Sequence, residues 1–136
     1  MAKLVAIDFG TKKSGIAVTD DLQLIASGLT TVRTHDIFDF LKKYLAENQV
    51  EAFILGEPKR LDGTATHNTG HVNGFKKNLG TTFGLPIHMV DERFTSKMAF
   101  QTMIDSGLKK KQRQNKELVD EISATIILQS YLESKS

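Results

Sequence analysis

Short apolar runs separated by polar breaks occupy the first quarter of the chain, and they predict three strands. The first run covers residues 3–7 and ends on Asp8, and further runs cover 16–19 and 24–32. Only short stretches rich in glycine and aspartate separate them. Such short connections predict that the three strands form an antiparallel meander.

The rest of the chain alternates between helical and strand patterns. Apolar residues at helical spacing predict helices over 35–49, 65–82, 95–106 and 117–133, and Thr34 is a candidate N-cap for the first. Two more strands are predicted at 50–55 and 86–90. The order β-β-β-α-β-α-β-α-α predicts an α/β fold with a mixed five-stranded sheet, three antiparallel strands followed by parallel βαβ units, and helices on both faces. We expect one domain over residues 1–136.

Composition and charge narrow the class of protein. The chain has no cysteine, which excludes disulfides, thiolate metal sites and a cysteine nucleophile. No apolar run approaches the roughly 20 residues that cross a bilayer, and the N-terminus lacks a signal-peptide pattern, so we expect a cytoplasmic protein without a membrane partner. The net charge of +2 excludes a polycation, but five cations fall between residues 109 and 116 with no acid among them. Such clustering is typical of phosphate binding.

Acidic side chains follow several of the predicted strands. Asp8 ends the first strand, Glu57 follows the fourth, and Asp91 and Glu92 follow the fifth. Open α/β sheets carry their sites at the carboxyl ends of strands, although a solvated loop is the commoner place for an acid.

Asp120 is placed differently, on the stripe of the final helix that carries Ala124, Ile127 and Tyr131. A buried carboxylate costs several kcal/mol unless it has a partner. That partner is either a cation of the basic run or a metal ion that several carboxylates share. Oxygen ligands without cysteine favour Mg²⁺ or Mn²⁺, and a pair of such ions can activate water and stabilise a leaving oxygen in phosphodiester hydrolysis.

Four segments of the chain form a recognisable set: residues 8–20, Gly56-Glu57-Pro58 with 62–64, residues 91–96, and Lys116 with 119–120 and 124–132. Together they resemble the YqgF family, also called RuvX. The resemblance implies a ribonuclease H-like fold, which has the element order predicted above. It also implies a metal-dependent nuclease that matures the 5′ end of 16S ribosomal RNA or, alternatively, resolves Holliday junctions.

The resemblance also implies roles for single residues. Asp8 and Asp120 become metal ligands together with an acid of the Asp91-Glu92-Arg93 segment, for which we favour Glu92. Glu57 departs from the family pattern, although related resolvases carry an acid there, so Glu57, Asp91 and Glu92 all stay open. The predicted substrate contacts are the cations near these acids and in the basic run: Lys12, Lys13, Lys59, Arg60, Arg93, Lys109, Lys110, Lys111, Arg113 and Lys116.

Two other classes of protein fit parts of the pattern. Residues 8–11 resemble the phosphate loop of actin-like and sugar-kinase domains, but those proteins need a second domain and a second glycine-rich loop. A catalytically silent protein that binds RNA or the ribosomal small subunit would keep the fold. Each predicted helix has one apolar stripe, which the sheet can cover, and we therefore expect a monomer or at most a weak homodimer.

Overall fold

Five strands form a single mixed sheet in the computed structural model, which describes residues 2–57, 69–91 and 116–135. The strands are β1 (Lys3–Asp8), β2 (Lys13–Thr19), β3 (Ala26–Arg33), β4 (Val50–Glu57) and β5 (Ile87–Asp91). Their order across the sheet is β3-β2-β1-β4-β5. β2 runs antiparallel to β1 and β3, whereas β4 runs parallel to β1 and β5. The predicted mixed sheet is confirmed.

Helices cover both faces of this sheet, as predicted. A 3₁₀ turn (Thr34–Asp36) leads into α1 (Ile37–Glu47), and α2 (Thr69–Phe83) and α3 (Lys116–Lys135) follow. On one face, side chains of α1 and α2 pack against the sheet, among them Leu41 and Phe75. On the other face α3 packs through Ala124, Ile127 and Leu128.

The strand residues beneath α3 are small, and this allows the helix to lie close to the sheet. Ala6, Ala17 and Ala52 are buried on this face, and Gly15 continues the row along β2. The opposite face carries larger residues, such as Phe53 and Leu55. Successive strand residues point to opposite faces, so the two clusters fix the direction of each side chain up to the strand ends.

Several boundaries differ from the predictions for reasons of strand pairing. β2 begins three residues earlier, because its ladder with β3 continues to the pair Lys13 and Arg33. β4 extends to Glu57, because its ladder with β5 continues to Asp91. Thr34 is not a helix cap, since its hydroxyl instead donates to the carbonyl oxygen of Gly10 at 2.6 Å. The helix predicted at 95–106 lies outside the described residues, and the single domain stays a prediction.

The connection between β2 and β3 exposes apolar side chains that the helix patterns did not indicate. Leu22, Leu24, Ile25 and Leu29 are 56%, 71%, 64% and 39% exposed, on this connection and on the edge strand β3. The helix stripes alone therefore did not account for the apolar surface of this connection and of β3, and the expected monomer or weak homodimer stays a prediction. No helix in the described ranges is long and apolar enough to span a membrane.

A carboxylate holds this same connection in place. Oδ1 of Asp20 accepts hydrogen bonds from the backbone amides of Leu24 at 2.8 Å and Ile25 at 2.9 Å. These two amides lower the pKa of Asp20 from its ordinary value of 3.8, because they stabilise the charged form. The ionised side chain of Asp20 therefore stabilises the β2–β3 connection.

Candidate active site at the carboxyl ends of the strands

Asp8 is the last residue of β1, the central strand of the sheet, and lies where the parallel strands end. Its side chain is half-buried, and it shares a face with Leu4 and Ala6, because alternate residues of a strand point the same way. That is the face covered by α3. β1 is buried on both faces for four residues before Asp8, so the strand holds the position of this carboxylate firmly.

Asp120 lies in α3 against the same part of the sheet. Its side chain is only 4% exposed, which confirms the prediction that it lies on the buried stripe of this helix. The Asp120 backbone faces Gly15 of β2, where an added Cβ would overlap the Asp120 carbonyl and come within 2.9 Å of the Glu121 amide nitrogen. Gly15 is in turn the direct cross-strand partner of Asp8. Asp8 and Asp120 therefore both lie next to Gly15, which lets the helix approach.

The acids that end β4 and β5 point to the opposite face. Glu57 follows Phe53 and Leu55 at intervals of two along β4, and both of these pack beneath α1 and α2. Asp91 is the direct partner of Glu57 on β5 and shares a face with Ile87 and Met89. Strand alternation therefore directs Glu57 and Asp91 away from the α3 face that carries Asp8.

The donors at this site suit a hard divalent cation. Asp8 and Asp120 supply carboxylate oxygens, which Mg²⁺ and Mn²⁺ prefer. Within the described ranges no group of three or more acidic or histidine side chains could hold a metal ion. Glu92, the favoured third ligand, lies outside the described residues.

Two of the predicted substrate cations line a cavity beside the β1–β2 turn. Lys12 and Lys13 are exposed and line a cavity of about 390 Å³ together with Thr11, Arg33 and His35. Lys116 is the first residue of α3. The remaining predicted contacts lie outside the described residues: Lys59, Arg60, Arg93, Lys109, Lys110, Lys111 and Arg113.

Arg33 and His35 line the same cavity, although the sequence patterns did not single them out. The His35 side chain is 65% exposed. Arg33 ends β3 and is the cross-strand partner of Lys13. The predicted meander implied that β3 ends at the same edge of the sheet as β1, and this was the signal available for Arg33.

A larger cavity of about 600 Å³ lies between α2 and β5, lined by residues that include Lys76, Gly80 and Ile87. Ile87 begins β5, whereas Asp8 ends the parallel strand β1. The cavity therefore lies at the amino ends of the parallel strands, away from Asp8. Its lining contains no acid.

Comparison with known proteins assigns the family. A family model described as RuvX, Holliday junction resolvase, matches residues 2–134. The chain belongs to the RuvX family. The family predicted from the four segments is therefore confirmed.

Relatives of high similarity cover the chain almost completely. A Flavobacterium johnsoniae protein is 57% identical over 136 residues, and a Bacteroides thetaiotaomicron protein is 56% identical over 136 residues, each covering 99% of both chains. A Porphyromonas gingivalis protein is 47% identical over 135 residues, with 98% of both chains covered. All three carry the name "Putative pre-16S rRNA nuclease".

Solved structures show the same fold at low sequence identity. T. thermophilus RuvC in complex with a Holliday junction substrate is similar with a TM-score of 0.57 at 15% identity, covering 99% of this chain and 96% of that one. The Fowlpox virus resolvase in complex with Holliday junction DNA also has a TM-score of 0.57, at 12% identity and 98% coverage of both chains. These similarities confirm the predicted ribonuclease H-like fold.

Proposed function

We propose that this chain is a divalent-metal-dependent nuclease that hydrolyses phosphodiester bonds in structured nucleic acid, with the precursor of 16S ribosomal RNA as its substrate. The observation that carries the proposal is the position of Asp120, which is 4% exposed and lies against Gly15 beside Asp8. Burying a carboxylate between a helix and a sheet costs free energy, and a cation shared with a second carboxylate offsets this cost.

Asp8 and Asp120 are the residues that would hold Mg²⁺ or Mn²⁺. When bound, the metal supplies the activation of a water molecule and the stabilisation of the leaving oxygen. The role of the two carboxylates is to fix the position of the cation, because β1 and α3 hold their backbones on either side of Gly15. Glu92 completes the ligand set in this proposal rather than Glu57, since strand alternation turns Glu57 towards α1 and α2.

The names of the relatives support an RNA substrate and a cytoplasmic location, and the cations near the strand ends support phosphate binding. The relatives are named for pre-16S rRNA, which favours a ribosomal precursor and an encounter with the ribosomal small subunit in the cytoplasm. The cations beside the strand ends, including Lys12 and Lys13, bind the phosphates that flank the cleaved bond. One active site is sufficient for trimming one RNA end, and we propose a monomer or a weak homodimer.

A second candidate function is the resolution of four-way DNA junctions, which the family description names. Two symmetric cuts require two sites, and a two-fold dimer is the simplest way to present them. The exposed Leu24, Ile25 and Leu29 on and beside the edge strand β3 favour this alternative, because they offer an apolar surface for a second copy.

The test is cleavage of two substrates by the purified protein: a 5′-extended 16S rRNA precursor fragment and a four-way DNA junction. Each is incubated with Mg²⁺, with Mn²⁺ and with EDTA. We expect metal-dependent cleavage of the RNA, and a fall of several orders of magnitude in Asp8→Asn and Asp120→Asn with nucleic-acid binding retained. Asp21→Asn, an exposed acid on the β2–β3 connection, is the matched control and should cleave like the wild type.

Light scattering at micromolar concentration is measured on the same samples. A stable dimer that makes paired symmetric cuts in the junction and leaves the RNA intact would support junction resolution instead. Undiminished cleavage by Asp120→Asn would refute the proposed metal site. Binding without cleavage of either substrate under all conditions would indicate the catalytically silent alternative.

A further inference from the structure

We propose that the basic cavity beside the β1–β2 turn is a binding site for one backbone phosphate of the nucleic-acid substrate, and that Arg33 is its principal ligand. This inference rests on the proposed nuclease function and adds a specific subsite to it. The phosphate bound here is not the one that is cleaved, because the cavity lies at the end of β3 and Asp8 lies at the end of β1.

The chemistry of the lining is suited to a phosphate. The cavity of about 390 Å³ is lined by Thr11, Lys12, Lys13, Arg33 and His35, which together offer three permanent cations, an imidazole and a hydroxyl, and no acid. Asp36 follows His35 in the chain, and its Oδ1 lies 3.1 Å from Nε2 of His35. Because Asp36 engages His35, Arg33 is the better donor, and its guanidinium can bind two phosphate oxygens at once.

Strand pairing holds two of these cations side by side. Lys13 and Arg33 are direct partners at the end of the β2–β3 ladder. Cβ atoms of such partners lie about 4.5–5.5 Å apart, and a single phosphate can therefore contact both side chains.

A closed ring of hydrogen bonds fixes the shape of the cavity. The Thr34 hydroxyl donates to the Gly10 carbonyl oxygen at 2.6 Å, so the 2.9 Å contact between the Ser14 and Thr34 hydroxyls has Ser14 as its donor. The Gly10 amide donates in turn to Oγ of Ser14 at 3.3 Å. The backbone amide of Thr34 also donates to the carbonyl oxygen of Lys12 at 2.8 Å. This ring joins the turn that carries Lys12 to the segment that carries Arg33.

Ser14 is the buried member of this ring. It is 0% exposed, and its hydroxyl is one of few buried polar side chains among the described residues. Burying a hydroxyl group costs little stability only when the group forms its hydrogen bonds. The Ser14 hydroxyl forms them with Gly10 and Thr34. Ser14 is therefore a positioning residue: it orders the turn before the phosphate arrives and reduces the entropy lost on binding.

The separation of the cavity from Asp8 predicts which phosphate is bound. β3 lies two strands away from β1, and two strand spacings amount to about 10 Å. The bound phosphate should therefore be a near neighbour of the cleaved bond along the substrate strand, within a few nucleotides of it.

The experiment replaces single phosphates of a cleavable duplex by neutral methylphosphonates and measures binding by fluorescence anisotropy. For the wild type, we expect one position, within a few nucleotides of the cleaved bond, at which neutralisation weakens binding about tenfold. Arg33→Gln should bind the unmodified duplex about tenfold more weakly and be insensitive to the methylphosphonate at that position. Lys43→Gln removes the same charge from the exposed side of α1 and should behave like the wild type.

Ser14→Ala tests the ring without changing any charge. We expect KM to rise several-fold with kcat unchanged, because the reacting groups are untouched while the cavity loses its fixed shape. If Arg33→Gln responds to every methylphosphonate as Lys43→Gln does, the subsite is wrong, although a cleaving wild type would leave the nuclease function standing. Failure of the wild type to bind or cleave nucleic acid would instead refute the proposed function itself.

Discussion

Gly15 is the residue on which the juxtaposition of Asp8 and Asp120 depends, and Gly15→Ala tests it directly. The added Cβ would overlap the carbonyl group of Asp120 and lie 2.9 Å from the amide nitrogen of Glu121. Both obstacles are backbone atoms of α3. A flexible side chain could rotate away, but here the helix itself has to move.

The size of the effect follows from this geometry. Carbon atoms pack at about 3.5–4.0 Å, so α3 has to withdraw from β2 by roughly 1 Å to accommodate the methyl group. Forcing one extra carbon into a packed core costs about 1–3 kcal/mol of stability. A displacement of 1 Å at a catalytic group can reduce the rate about 100-fold. We therefore expect Gly15→Ala to lower both the free energy of unfolding and kcat, with a loss in kcat beyond what the unfolded fraction explains.

Urea unfolding and cleavage rates measured on the same preparations provide the assay. Gly74→Ala is the matched control, because Gly74 lies in α2 with no atom within 4 Å of an added Cβ. Alanine should stabilise that helix by about 0.5–1 kcal/mol and leave the rate unchanged. A Gly15→Ala variant as stable and active as the wild type would refute the contact between α3 and β2 from which the site is inferred.

Three further predictions concern the acids and cations of the chain. Glu92→Gln should weaken Mn²⁺ binding, whereas Glu57→Gln should leave it unchanged, as measured by metal titration; the reverse result would make Glu57 the third ligand. Neutralising the three lysines at 109–111 should reduce the salt dependence of nucleic-acid binding by up to three phosphate contacts, and an unchanged slope in anisotropy titrations would contradict this. Asp20→Ala should lower the melting temperature at neutral pH. The difference from the wild type should shrink as the pH falls below 3.8, because protonation then removes the wild-type carboxylate that accepts hydrogen bonds from two amides.

The direction of this pH effect depends on the lowered pKa of Asp20. A carboxyl group with a lower pKa in the folded than in the unfolded protein stabilises the fold above its unfolded pKa, and this contribution disappears as the proton binds. A melting difference that grows on acidification would contradict the hydrogen bonds to the β2–β3 connection.

The sequence by itself determined the types and order of the described elements. Apolar runs of strand length, turn residues between them and helical spacing elsewhere are local properties, and the five strands and the described helices agree with them. The burial of Asp120 could also be predicted, because the angle between helix residues depends only on their separation along the chain. The carboxylates at strand ends and the clustered cations were equally visible.

The tertiary structure alone decided which of these groups share a face. β1 and β4 are buried on both sides, so their sequences are continuous apolar runs without an alternation that marks a face. Only the helices packed on each side show that Asp8 faces α3 and that Glu57 points to the other side. The pairing of Lys13 with Arg33 also depends on an irregularity in the ladder between Ile16 and Ala17, which shifts the register by an amount that strand propensity does not encode.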